Sequence, residues 1–180
     1  MLKAIKATEL RVALNGLVLP NGLRVHKLDV RMPQIAAEID PFLLPEGTLA
    51  DVELVVRAED IESFLNARNP SGLSNFSVKI EAGALTILAA MRVIVPVQVG
   101  ARGHLIFENG KLFFVLERAE VAGAKAPDGL VREHIEKVNP LIDLSGLPIS
   151  NRMKSMDMDN NEVRITAEIS VTANIPRRNP

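Results

Sequence analysis

Apolar and polar residues alternate along much of this chain, and the alternation is cleanest near its end. Val163, Ile165, Ala167, Ile169 and Val171 fall on one side, and Arg164, Thr166, Glu168, Ser170 and Thr172 on the other. A period of two puts these sets on opposite faces of a half-buried antiparallel strand. Leu23 to Met32 alternates as well, but its phase slips between Val25 and Leu28, which predicts a bulge near His26–Lys27. Leu85 to Val99 reads as one long strand. Leu85, Ile87, Ala89, Met91, Val93, Val95, Val97 and Val99 line one face, and the other, with Leu88, Ala90 and Ile94, is also partly apolar. A strand oily on both faces needs cover on both, and Pro96 predicts an edge or a bulge because it has no N–H to donate.

Turn residues divide these strands. Asn21-Gly22 and Asn109-Gly110 each lie between apolar runs and suit tight hairpins; Ala82-Gly83 and the stretch around Asp159-Asn160-Asn161 predict two more. Two segments change to helical spacing. From Ala58 to Ala67, Ile61, Phe64 and Leu65 share a face, and Glu59, Asp60 and Glu62 sit near the N-terminus, where the helix dipole favours acids. A second helix is predicted from an N-cap at Asp128, with Leu130, Val131, His134, Ile135 and Val138 on its apolar side and Pro140 ending it. Pro33 to Gly47 reads as a loop with a short helical turn at Gln34–Ile39, and Leu141 to Ile149 as an apolar connector. The expectation is an α+β domain over residues 1–175, with eight or more antiparallel strands and two or three helices. Residues 176–180 would form a disordered basic tail.

Composition narrows the chemistry. The chain has 180 residues, 47% of them hydrophobic, with 21 Lys+Arg against 22 Asp+Glu and a net charge of -1. Such balance argues against a whole-domain electrostatic grip on nucleic acid. There is no Cys, Trp or Tyr, and six Phe are the whole aromatic content. Disulfides, thiolate chemistry and sulfur-ligated zinc are thereby excluded, and base-stacking platforms are scarce. Glu9 and Arg11 interrupt the place where a secretory h-region would lie. The expected location is therefore cytoplasmic or peripheral to a membrane, or the cell envelope if a signal or anchor has been removed.

Candidate reactive groups are few. His26, His104 and His134 lie far apart and none has a second ligand at metal spacing, so each is read as structural. No G-x-S-x-G, G-x-G-x-x-G or Walker pattern occurs. Asp157 to Glu162 is acidic but lacks the mid-loop Gly of a calcium loop, and a solvated hairpin turn explains it better. Met153, Met156 and Met158 are read as gap-fillers in a core, and Glu59-Asp60-Glu62 as a solvated helix start. No catalytic residue, cofactor or metal is expected.

The order of segments is similar to a known family. An apolar strand enters the helix at Val55-Val56-Arg57-Ala58-Glu59-Asp60-Ile61-Glu62-Ser63-Phe64-Leu65; Ser77-Val78-Lys79-Ile80-Glu81, Leu85 to Val99 and the Asn109-Gly110 hairpin follow. Leu144-Ser145-Gly146-Leu147-Pro148 and a closing strand pair around Asp159-Asn160 come next, and Leu17 to Val25 supplies an opening hairpin. This succession resembles the LmeA-like phospholipid-binding family, itself likened to the tubular lipid-binding (TULIP) proteins, over about Leu10 to Val171. The resemblance implies a curved antiparallel sheet wrapped around a long helix, non-enzymatic binding or transfer of phospholipid or another fatty-acyl lipid, and peripheral membrane contact. It carries no catalytic residues. Together, the two-faced strand and this family-like order place Ile61, Phe64, Leu65, Val93, Val95, Val97, Val131, Ile135 and Val138 around an apolar groove. The rival readings are a dry aliphatic core, and an assembly module that pairs a sheet edge with a protein partner or a second copy.

Overall fold

The computed structural model describes residues 4–39, 42–43, 47–68, 72–92, 94–126, 135–137, 139–143, 149–171 and 174–175. Two open antiparallel sheets and one helix make up this part of the chain. The larger sheet contains β1 (Ala4–Val18), β2 (Arg24–Ile39), β3 (Phe42–Leu43), β4 (Thr48–Arg57), β11 (Ile149–Asp159), β12 (Glu162–Val171) and β13 (Asn174–Ile175). Its strands run β11-β12-β4-β2-β3-β13, with β1 also paired to β2. The smaller sheet holds β5 (Leu73–Glu81), β6 (Ala84–Arg92), β7 (Pro96–Glu108), β8 (Lys111–Val121), β9 (Ala124–Lys125) and β10 (Ile142–Asp143), ordered β10-β8-β7-β6-β5 with β9 on β8. Helix α1 (Ala58–Arg68) follows β4 directly.

The hairpins form where turn residues predict them. Asn109 and Gly110 take φ of 52° and 76°, Ala82 and Gly83 50° and 76°, and Asn160 and Asn161 51° and 60°. Paired left-handed corners match the right-handed twist of the flanking strands. A further corner of this kind, Ala122-Gly123, links β8 to β9. The Asn21-Gly22 turn is built differently. Gly22 N–H donates to the Leu19 carbonyl (2.8 Å), and Gly22 is its one left-handed residue, at 93°.

Three expectations need correction. Leu85 to Val99 is not one strand: β6 ends at Arg92 and β7 begins at Pro96, and the two pair antiparallel with Met91 opposite Val97. An all-apolar tip without Gly or Asn gives no turn signal, so the break is invisible to periodicity. Pro33 to Gly47 is not a loop at its start, because β2 continues to Ile39, with Pro33 opposite Glu9 of β1. The β4 ladder has already stopped at Arg31, so Pro33 needs no donor on that side. The phase slip near His26 occurs without a shift of register: Gly16, at φ 70°, faces it across the hairpin and bends the strand. In place of a long helix, α1 has 11 residues. The helix predicted from Asp128 lies largely outside the described residues, with Ile135 to Lys137 helical.

One hydrophobic core joins both sheets. Ile61, Phe64 and Leu65 of α1 pack with Leu54, Val56, Val163 and Ile165 of the large sheet and with Val78, Ile80, Leu85 and Phe114 of the small one. A second, smaller cluster holds Met32, Ile35, Ala50 and Ile169.

Candidate lipid-binding surface

The register of the large sheet sorts its side chains into two unlike faces. Directly paired residues share a face. One row across β1, β2, β4, β12 and β11 is Leu14, Leu28, Leu54, Ile165 and Met156, and the next is Val12, Val30, Val52, Ala167 and Met153. Every position in both rows is apolar. Helix α1 covers one end of this face, where Leu54 and Ile165 are buried in the main core. Toward β1 the cover ends: Leu10, Val12 and Leu14 are 40%, 38% and 43% exposed. Val30 and Val52 are half-buried beside the smaller cluster. The result is an apolar surface on the inner face, covered by α1 at one end and exposed along β1, where a trough for a ligand could form. Its signal was legible as the alternation Leu10, Val12, Leu14 against Glu9, Arg11 and Asn15, but the groove expected from sequence took no residue from β1.

The opposite face carries ions at the same spacing. Arg11, Arg31, Asp51, Glu168 and Arg152 form one cross-strand row; Asp29, Glu53 and Thr166 belong to the next. Arg11 forms a charge-assisted pair with Asp29, and Lys27 and Arg31 approach the same carboxylate at 3.6 and 3.8 Å. Lys27 and Arg164 share Glu53 at 3.0 and 2.9 Å, and Lys154 bridges Asp51 and Glu168. The Arg11 hydrogen bond, with the charges of Arg31 and Lys27, holds the Asp29 carboxyl below its ordinary range. The Lys27 hydrogen bond does the same for Glu53. A hollow of about 320 Å³ lies over this network, lined by Asp29, Arg31, Asp51, Glu53, Lys154 and Thr166 among others. Its acids and bases are already matched to one another, which leaves no poised base or nucleophile in it.

A second hollow, of about 380 Å³, opens on the small sheet between Asn75, Ser77, Leu88, Ala90, Pro96 and Gln98, with no charged residue in its lining. The remaining polar candidates are dispersed. His104 Nδ1 lies 2.7 Å from Glu117 on an exposed surface, and His26 is half-buried with its Nδ1 unpartnered. His134 lies outside the described residues. Among the described residues no three His, Asp or Glu side chains gather as metal ligands. The acidic helix start is less solvated than expected. Asp60 is buried, accepts the Arg57 N–H at 3.2 Å and meets Arg24 at 3.5 Å, while Glu62 accepts the Val78 N–H.

The nine residues predicted for a groove are placed as follows. Ile61, Phe64 and Leu65 lie together in the main core, and half-buried Ile135 packs against it. Val97 is half-buried in β7, and Val95 is 67% exposed at the β6–β7 turn. Val93, Val131 and Val138 lie outside the described residues.

The model of the LmeA-like phospholipid-binding family matches residues 6–168. The chain belongs to this family. No curated protein and no solved structure gave a match. The matched span runs from β1 into β12 and so includes α1 and most of the two-faced large sheet. No described helix is long and apolar enough to cross a membrane.

Proposed function

We propose that this LmeA-like chain binds phospholipid without chemical turnover, holding an acyl chain against the inner face of its large sheet. The carrying observation is the trough: two consecutive rows of apolar side chains span five strands, and at β1 three of the flanking residues remain well over a third exposed. An acyl chain laid there removes hydrocarbon from water on both sides, at about 0.8 kcal/mol per buried CH₂. Ile61, Phe64 and Leu65 act as the wall at the closed end, with half-buried Ile135 packed against the same core. A sheet curled about α1 and a ligand in this way would be the TULIP-like arrangement. Transfer between membranes follows from the same site if the bound lipid can leave along β1.

The test is direct. Organic extracts of the purified protein should contain phospholipid, native mass spectrometry should show matching adducts, and phospholipid should displace a fluorescent fatty-acyl probe. Val12→Asp changes a side chain that is already partly in water, so the variant should fold. It should bind the probe at least about tenfold more weakly, because a carboxylate against hydrocarbon is poorly solvated. No co-purifying lipid and no probe binding, or full binding by Val12→Asp, would end the proposal.

One observation favours assembly instead. β1 has 15 residues and, among the described residues, pairs with β2 alone. The edge of β5, by contrast, is closed by side chains: Asn66 bonds both backbone groups of Phe76, Glu62 takes Val78 N–H and Asn161 takes Ile80 N–H. A long unpaired edge is a ready template for another strand. Light scattering over a concentration series separates the readings, since β1 pairing requires a concentration-dependent dimer.

A further inference from the structure

The β6–β7 hairpin ends in side chains that no described part of the protein covers. Ile94 is 97% exposed and Val95 67% exposed, and Pro96 beside them is exposed as well. Isolated apolar residues on a surface are ordinary, but consecutive ones at the tip of a hairpin are not. They are also not a folding requirement, since a two-residue corner of Gly and Asn would close the strands better. Charge singles out the same hairpin. From Ala82 to Phe107 the chain has no Asp or Glu, although acids slightly outnumber bases overall. Arg92, at the foot of the tip, is exposed and forms no ion pair among the described residues. The neighbouring turn, bonded to this hairpin from Ala122 N–H to the Gln98 carbonyl, adds the exposed Lys125. The uncharged hollow of about 380 Å³ opens next to it, with Pro96 in its wall.

We infer that the β6–β7 tip is a membrane-docking element that inserts Ile94 and Val95 into the interface of a bilayer rich in anionic phospholipid. Apolar side chains enter the headgroup–acyl boundary, and Arg92 and Lys125 stay at phosphate level, where each cation adds attraction that salt screens. The hollow behind Pro96 then faces the bilayer surface. This gives the lipid-binding reading its route to a membrane, and it rests on that reading for its purpose, not for its physical basis. The tip and the trough use different residues, so the two can fail separately.

The chain contains no Trp or Tyr, so Ile94→Trp introduces the sole indole as a reporter at the tip. Its emission should shift to the blue on addition of vesicles of phosphatidylcholine with about one third phosphatidylglycerol, and less with phosphatidylcholine alone. Glu108→Trp, at the opposite end of β7, should not shift. Ile94→Asp should reduce co-sedimentation of the otherwise wild-type chain with the anionic vesicles at least about tenfold, while binding of a soluble fatty-acyl probe is unchanged. Raising the salt should weaken the wild type, and Arg92→Ser should weaken it at low salt. An unshifted emission spectrum of the Ile94→Trp variant, or undiminished co-sedimentation of Ile94→Asp, overturns the docking tip. Loss of probe binding in the wild type would overturn the trough and leave the tip standing.

Discussion

Asp29 is the residue at which the outer face of the large sheet is tied together. Its carboxylate is 2% exposed, yet it faces Arg11, Lys27 and Arg31, each on the solvent side. Burial alone would raise its pKa, but the Arg11 hydrogen bond outweighs burial and holds the value below the ordinary range. The sign of the stability effect follows. A carboxyl whose folded pKa is lowered contributes fully above its ordinary value, and the contribution is lost as pH falls through the lowered folded value. Asp29→Asn should therefore be less stable than the wild type at pH 7, and the gap in urea midpoint should close as pH falls below about 4. A gap that stays constant over that range would mean that packing, and not charge, accounts for the loss. Asn161 does comparable work on the other side of the molecule. It accepts Ala58 N–H at the start of α1, donates to the Ile80 carbonyl, and takes Ile80 N–H with its side chain. One left-handed turn residue thus joins the large sheet, the helix and the edge of the small sheet.

At the scale of elements, β7 and β8 meet most closely at Gly103. Their register shifts between Arg102 and Gly103, and a Cβ on Gly103 would lie 1.9 Å from the Val115 carbonyl oxygen. That neighbour is backbone in a paired strand and cannot swing aside. Gly103→Ala should destabilise the fold by about 3 kcal/mol or more, read from urea unfolding; a loss under about 1 kcal/mol would show that β7 can slide. Nothing in Ala101-Arg102-Gly103-His104 announces this contact, because it depends on how two distant strands approach. The local signals succeeded where chemistry is local. Asn109-Gly110, Gly83 and the Asn160 turn marked hairpins because left-handed corners favour Asn and Gly. The clean alternation of β12 matched its buried Val163, Ile165, Ala167 and Ile169. The reading failed where the signal was inverted: Ile94 and Val95 are apolar but lie at a turn, so periodicity continued a strand through them. The trough was missed for a related reason. Leu10, Val12 and Leu14 look like any half-buried strand, and only the pairing order shows that they sit beyond β2, where they stay exposed.

Among the described residues, the large sheet is amphipathic, and its oily face stays partly exposed along β1. Its ion-paired outer face is content in water, and α1, with 11 residues, shields only part of the inner one. If an acyl chain completes that cover, lipid and stability are linked: a ligand that binds the folded state alone, at about 100 times its Kd, adds about 2.7 kcal/mol. For a chain of this size that is roughly a 5–10 °C rise in melting temperature. Protein stripped of lipid in solvent or on a hydrophobic resin should therefore melt lower, and a soluble short-chain phospholipid should restore the difference. Val12→Asp should melt close to the stripped wild type whether or not lipid is present, because it lacks the site and not the fold. Ile94→Asp should keep the full lipid-dependent rise, since a monomeric lipid needs no docking tip. Equal melting of loaded and stripped wild type would mean that the inner face is stable as an ordinary surface, and the trough would lose its claim as a lipid site.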